Sequence, residues 1–387
     1  MKGNGSIFDA NGFNRCDKTM LSAALILITV GIVFVFSADN SALSLASKGV
    51  KQIVFSITAV FTAVLFTIID HRKIGNEQFL KNVLIFLLIF LGILAIFATF
   101  KINLSYNGFG IWKINGAYRW IILGPISFQP SVFIKLFLIM FVSLKLSQIS
   151  DRERRIKGKL LDTVTKNREI IIFSLLSVLL ITAQPSNSVA MSVVFVILAV
   201  VGLKTAKTIA KIVTPIILAT VVLFVLVWNF NANFRDRILE AGNHYQSRQA
   251  LLTIGSGGLV GLGIGGGEAK YNRLPEIEND YIFAIIAEET GFIGAFLFIV
   301  AYAVFIFCGF RTAINAEAGF SKLLAFGLSA NYAFAFLLHL FVNLGFISTG
   351  ASLPFVSYGG TAVIADAVSL GILLNISSIK KYERIRL

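Results

Sequence analysis

Five carboxylates stand close together in the second half of this chain, and three of them, Asp280, Glu288 and Glu289, lie at or inside an apolar stretch. They lie in Lys270-Tyr-Asn-Arg-Leu-Pro-Glu-Ile-Glu-Asn-Asp280-Tyr-Ile-Phe-Ala-Ile-Ile-Ala-Glu288-Glu289-Thr-Gly291, where a charged loop runs directly into an apolar stretch. Pro275 closes the loop, Asn279 is placed to cap a helix, and Asp280 falls in its first turn. An acid there also suits the helix dipole, so capping alone would explain it. Glu288 and Glu289 are harder to explain that way. Two adjacent acids about two turns into a membrane helix are expensive and are functional candidates by default. A structural ion pair is their plainer reading. On a straight helix Glu288 lies about 12 Å beyond Asp280 and about 80° around it. The two could line one cavity, while Glu289 should face away, about 180° from Asp280.

Cations stand in two further places. Arg119-Trp120 suits a membrane interface, and Lys135 sits inside the apolar run that follows Gln129-Pro130-Ser131. So deep an ammonium calls for an ion pair or an anion. Glu288 is the first expected partner and Asp366, inside the last apolar run, the second. The Gly261-Leu-Gly-Ile-Gly265-Gly266 stretch matches a dinucleotide fingerprint by spacing. It lacks the strand–turn–helix context that would make it one. Its glycines instead suit sharp turns and close backbone approach. Cys16 and Cys308 lie far apart, and His71, His244 and His339 have no metal-ligand spacing. In Leu353-Pro-Phe-Val-Ser357-Tyr-Gly-Gly360 the plain reading is the start of the last span, with a proline and packed glycines.

The elements that must position these groups are membrane helices. Of the 387 residues 56% are hydrophobic and only 14% charged, and the mean hydropathy is +0.82. The net charge of +14 sits between long uncharged runs, which excludes a soluble enzyme, a disordered basic tail and a nucleic-acid binder. Runs near the ~20 residues a bilayer requires occur at 19–37, 51–69, 82–100, 129–148, 170–183, 186–203, 209–229, 281–310, 322–346 and 353–378. The expected fold is therefore an all-α polytopic membrane protein with about ten transmembrane helices. The fifth and sixth runs are short and meet at Gln184-Pro185, a helical hairpin or broken helix; counted as one kinked span, the total is nine. A large extracytoplasmic loop, 230–279, separates spans seven and eight. A second outer segment covers 101–128. With the N-terminus inside, the inner segments hold 22 basic residues and the outer ones 10, which favours cytoplasmic termini. The first span has a long n-region carrying Asp9 and Asp17 and reads as a retained anchor. Residues 1–387 read as a single membrane domain with a 19–378 core.

These segments together resemble the SEDS family (shape, elongation, division and sporulation), most closely its FtsW branch. The phrases that carry the resemblance are Phe36-Ser-Ala38, Lys51-Gln52, Asn115-Gly-Ala-Tyr-Arg119-Trp-Ile121, Gln129-Pro-Ser131 and Gln184-Pro185. Further along are Tyr245-Gln246 with Gln249, Gly255-Ser-Gly-Gly258, Leu274-Pro275, Asp280-Tyr-Ile-Phe-Ala with Glu288-Glu289, and Leu353–Gly360. They run in order along nearly the whole chain. The resemblance implies a peptidoglycan glycosyltransferase that polymerises lipid II at the outer face of the cytoplasmic membrane, in septal wall synthesis during division. It also implies a single-span class B penicillin-binding transpeptidase and other division proteins as partners.

The family's key acid carries over to Asp280. A lone carboxylate at a membrane surface suits a base acting on the acceptor hydroxyl. Glu288 is the second catalytic candidate, orienting a cation or holding the cavity open. Arg119, Lys135, Arg248, Gln249, Lys270 and Arg273 are the candidates for substrate binding, the cations among them for the pyrophosphate. Assistance by a divalent cation (Mg or Mn) rests on the resemblance alone, with no metal ligands assigned. The chain also departs from the pattern. A His-Thr pair is Glu278-Asn279 here, a Q-P-S-E glutamate is Val132, a Q-P-D acid is Ser186, and a serine is Ala250. Two other readings therefore stand beside the polymerase: a catalytically weakened division scaffold recruiting a transpeptidase, and a lipid-linked precursor translocator.

Overall fold

The computed structural model describes residues 16–39, 47–106, 109–111, 113, 117–124, 126–149, 168–205, 245–271 and 274–386. Eleven helices lie in these residues: α1 (Lys18–Ala38), α2 (Lys48–Ile68), α3 (His71–Ile74), α4 (Glu77–Phe100), α5 (Pro130–Ser147), α6 (Arg168–Ala183), α7 (Asn187–Thr205), α8 (Tyr245–Ser256), α9 (Ile282–Asn315), α10 (Phe320–Asn343) and α11 (Gly360–Arg386). Eight of them are long and apolar enough to cross a membrane: α1, α2, α4, α5, α7, α9, α10 and α11. The fifth expected run, 170–183, is the 16-residue α6. It ends at Ala183 and α7 begins at Asn187, so the chain breaks at Gln184-Pro185 as proline requires. The run 209–229, the basic loop 151–167 and the first part of the long loop, to 244, lie outside the described residues.

Side-chain caps set several helix starts. Asp17 accepts from the backbone N–H groups of Thr19 and Met20, Ser47 from Val50, and Asn76 from Phe79. Each such cap is worth about 1 kcal/mol. α11 packs on α2, and α9 packs on both α10 and α1. Tyr302 stacks on Phe336 with centroids 4.4 Å apart, and Phe305 meets Tyr332 and Phe355 edge-on. This aromatic core locks the 350–359 segment between α9 and α10. That segment is a turn, and α11 begins only at Gly360, seven residues after the start expected for the last span. A second difference concerns 101–128, expected as a loop. It holds a four-stranded antiparallel meander, β1 (Leu104–Tyr106) to β4 (Ile126–Phe128). Its last strand leads straight into α5, whose first residue is Pro130.

α9 is the element that carries the acids. At 34 residues it is about 51 Å long, far more than a bilayer needs. Its backbone is broken at Gly291 (φ 69°, ψ −170°). Residues 292–315 alone extend about 36 Å and carry the exposed apolar face of Phe292, Phe296 and Phe307. Residues 282–289 are instead buried on all sides. Glu288 and Glu289 therefore stand in a protein-enclosed section that precedes the lipid-facing one. That removes much of the cost that their place in the sequence implied.

Candidate functional site

Asp280 lies two residues before α9, outside its first turn. The residue at the N-cap is Tyr281, which makes no side-chain cap bond. Asn279 does not cap the helix either; its amide donates to Glu276 Oε2. The cap comes from another helix. Asn343, at the end of α10, accepts from the Ala284 N–H at 3.1 Å. The same amide donates to the backbone oxygen of Asp280 at 3.0 Å. One side chain thus satisfies the start of α9 and fixes the backbone of Asp280.

The Asp280 side chain meets the 350–359 turn. It accepts a hydrogen bond from the backbone N–H of Ala351. A Cβ at position 350 would come 2.8 Å from Asp280 Oδ2, so a side chain there would displace the carboxylate. Ser357 Oγ donates to the Asn279 oxygen and the Tyr358 N–H to the Glu278 oxygen, pinning this turn to the Asp280 loop. Burial raises the Asp280 carboxyl to about 7, and the nearby Glu276 and Glu278 charges add to the rise. The Arg119 guanidinium and the Ala351 N–H oppose it. The residue as a whole is half-buried. A helix terminus would have made this acid a weak base; withdrawal from the helix and burial make it one suited to neutral pH.

Arg119 donates to the backbone oxygens of Gln184 and Pro185, and Gln184 Nε2 donates to the Leu91 oxygen at 2.9 Å. The broken α6–α7 connection is thereby tied to α4 and to the cation facing Asp280. Glu278 is ion-paired with Lys48 at the start of α2. The resemblance put a histidine at position 278; here a paired acid occupies it. Each acid beside Asp280 is thus engaged, Glu278 by Lys48 and Glu276 by Asn279. Among the described residues no group of three His, Cys, Asp or Glu side chains is placed to hold a metal ion. The described side chains around Asp280 do not form a cation cage.

Glu288 and Glu289 are arranged otherwise than their spacing on an ideal helix implied. Both carboxylates converge on Gly267. Glu288 accepts from the Glu268 N–H at 2.9 Å and from the Ala269 N–H. Glu289 accepts from Ser37 Oγ at 2.6 Å and from the Gly267 N–H, and its Oε1 lies 3.7 Å from Lys270 Nζ. Glu288 faces the 267–269 backbone, not the Asp280 carboxylate, and Glu289 points to the same loop. The break at Gly291 completes the arrangement. The Leu262 and Gly263 N–H groups donate to the backbone carbonyl oxygens of Glu288 and Glu289, while those of Phe292 and Ile293 donate to the carbonyl oxygens of Gly258 and Leu259. At Gly257 an added Cβ would lie 2.1 Å from the Ala287 oxygen. Gly257→Ala is therefore expected to lower the thermal midpoint in detergent by several degrees, equivalent to about 1–3 kcal/mol. A midpoint equal to wild type would mean that the loop is not clasped to α9.

The remaining candidates are spread out. Lys270 also donates to the Gly265 oxygen, so its position is set by the loop. Arg248 is exposed on α8 and Gln249 half-buried beside it. Arg273 lies outside the described residues. Lys135 is half-buried on α5, and the acid acting on it is Asp366 of α11; Glu288, the first expected partner, is occupied by the loop.

Comparison with known proteins agrees with this architecture. The model of a cell cycle protein family, FtsW/RodA/SpoVE, matches residues 17–382. The chain is 27% identical over 384 residues to the stage V sporulation protein E of Bacillus subtilis (strain 168), covering 95% of this chain and 98% of that protein. It is 29% identical over 399 residues to a probable peptidoglycan glycosyltransferase FtsW of the same strain, covering 95% and 92%. Its fold is similar to Thermus thermophilus rod shape determining protein RodA, with a TM-score of 0.63 at 22% identity, covering 94% and 96% of the two chains. A chain from a structure on the coordination of polymerization and crosslinking by a peptidoglycan synthase complex aligns with a TM-score of 0.71 at 20% identity, covering 94% and 98%. With a family model spanning almost its whole length and eight helices able to cross a bilayer, the chain is a multi-pass membrane protein of the FtsW/RodA/SpoVE family.

Proposed function

We propose that this chain is a peptidoglycan glycosyltransferase that polymerises lipid II, with Asp280 as its general base. The observation that carries the reading is Asp280 itself: a half-buried residue whose carboxyl is held by Ala351 and raised to about 7. In the reaction it takes the proton of the acceptor hydroxyl. That oxygen bonds to the anomeric carbon, and the lipid pyrophosphate leaves from the opposite face with its bonding pair, inverting the centre. Arg119, held by the Gln184 and Pro185 carbonyls, supplies positive charge beside the site. Lys135, Arg248, Gln249, Lys270 and Arg273 are proposed for the remaining substrate contacts. Glu288 is proposed as a positioning residue that holds the 267–269 backbone. No step is routed through a metal ion.

The relatives named as peptidoglycan glycosyltransferases support this reading. The partner is proposed to be a single-span class B penicillin-binding transpeptidase, in keeping with the similar fold found in a polymerising and crosslinking complex. The place of action is the outer face of the cytoplasmic membrane at the division septum. The test is purified protein with labelled lipid II, with and without that transpeptidase, resolved on a gel. Glycan strands are expected. Their absence in both reactions would favour the scaffold or translocator reading.

The 22-to-10 charge bias supports cytoplasmic termini. Lys73, exposed on α3, and Lys113, exposed between β2 and β3, then lie on opposite sides. In a background lacking Cys16 and Cys308, Lys113→Cys is expected to react with an impermeant thiol reagent in intact cells with any outer membrane opened. Lys73→Cys should react only after lysis. The reverse pattern would invert the topology.

A further inference from the structure

The glycine-rich turn 257–267 has an outer side that no step above uses. Leu259, Val260, Leu262 and Ile264 are 71%, 77%, 48% and 70% exposed. Every residue from Ile254 to Gly267 is uncharged. Of the charged residues that follow, Lys270 lies inward against Glu289, while Glu268 is exposed and only its backbone N–H bonds Glu288. Several backbone groups of the turn, which lipid would leave stranded, are taken up by α9 at Glu288, Glu289, Phe292 and Ile293.

The level at which the turn is fixed matters most. Its carbonyls at Gly258 and Leu259 bond the N–H groups of Phe292 and Ile293. These are the first two residues of the lipid-facing section of α9, and both are exposed. The apolar tip thus continues the face by which α9 meets the bilayer. On the other flank Leu251 of α8 packs against Gly345, beside the exposed Phe341 and Phe346.

We propose that residues 259–264 insert into the acyl chains of the leaflet on the Asp280 side, making this turn a membrane wedge clamped to α9. Lipid is the occupant because the patch is uncharged, has its backbone bonded to α9 at Leu259, Leu262 and Gly263, and continues a lipid-facing helix surface. The function proposed above is not needed for this inference.

The test uses the full chain, with Cys16→Ala and Cys308→Ala, reconstituted in phosphatidylethanolamine–phosphatidylglycerol vesicles. An environment-sensitive fluorophore is attached at Val260→Cys and, separately, at Ile264→Cys. Quenching by acyl-chain spin labels is compared with quenching by aqueous iodide. Phe296→Cys on the span and Lys113→Cys in the sheet serve as references. Spin-label quenching at both tip sites is expected within about twofold of Phe296→Cys, with iodide at least about threefold weaker than at Lys113→Cys. Iodide quenching equal to that at Lys113→Cys would overturn the proposal in favour of a water-facing loop. Protection from both quenchers would overturn it in favour of a protein cover, such as a second copy. Two labelled sites keep the result decisive if one variant fails to fold.

Discussion

Asp280→Asn is expected to cut strand synthesis by at least ~10²-fold while leaving a folded, membrane-inserted protein. Asparagine keeps the size of the side chain and can still accept from the Ala351 N–H. It does not disturb the α9 start, because that cap belongs to Asn343. The change therefore isolates the loss of a basic carboxylate. Because the wild-type carboxyl sits at about 7, synthesis should rise with pH through about 7 and then level off. The stability effect runs the other way. A carboxyl raised above its unfolded value favours folding when protonated, and that contribution is lost as pH rises through about 7. Removing a like charge by Glu276→Gln should move the activity midpoint to lower pH, since Glu276 is the largest electrostatic contribution to the rise. Synthesis by Asp280→Asn within about threefold of wild type would remove it from the role, given the ~10²-fold minimum for a base.

The spans and the acid were legible in the sequence because both are local signals. Apolar runs of about 20 residues report membrane helices directly. The orientation of side chains was not local. On an unbroken helix Glu289 faces away from Asp280 and outside the cavity that Asp280 and Glu288 could line. Glu288 and Glu289 converge because the glycine turn folds back onto the break at Gly291. The cap on α9 comes from Asn343, about sixty residues away, whereas the local pattern beside Asp280 points to Asn279. The sheet at Leu104–Phe128 leaves no mark in the sequence because its strands are three residues each, too short for alternation to register. The departure at Glu278 was visible as a residue change, but its pairing with Lys48 is a contact between segments 230 residues apart.

The Lys135 site offers the other large effect, read in folding. Asp366 of α11 is the acid whose charge acts on Lys135 of α5, and the Tyr332 hydroxyl donates to the Asp366 backbone oxygen at 2.7 Å. Where the family pattern has a glutamate, this chain has buried Val132, one turn before Lys135 on the same helix. The acid has in effect moved from the cation's own helix to a neighbouring one. Lys135→Glu then sets two acids together and leaves neither with a cation. A lone charge at such a depth costs about 3 kcal/mol, enough to reduce the folded fraction more than a hundredfold. The monodisperse yield of Lys135→Glu in detergent is expected to collapse, and Lys135→Glu with Asp366→Lys to recover much of it. A sharper version restores the acid to its other position. Asp366→Asn strands the ammonium, and adding Val132→Glu, at i and i+3 from Lys135, should rescue it. If neither double variant is recovered better than its parent single variant, the Lys135–Asp366 pairing does not hold the bundle together.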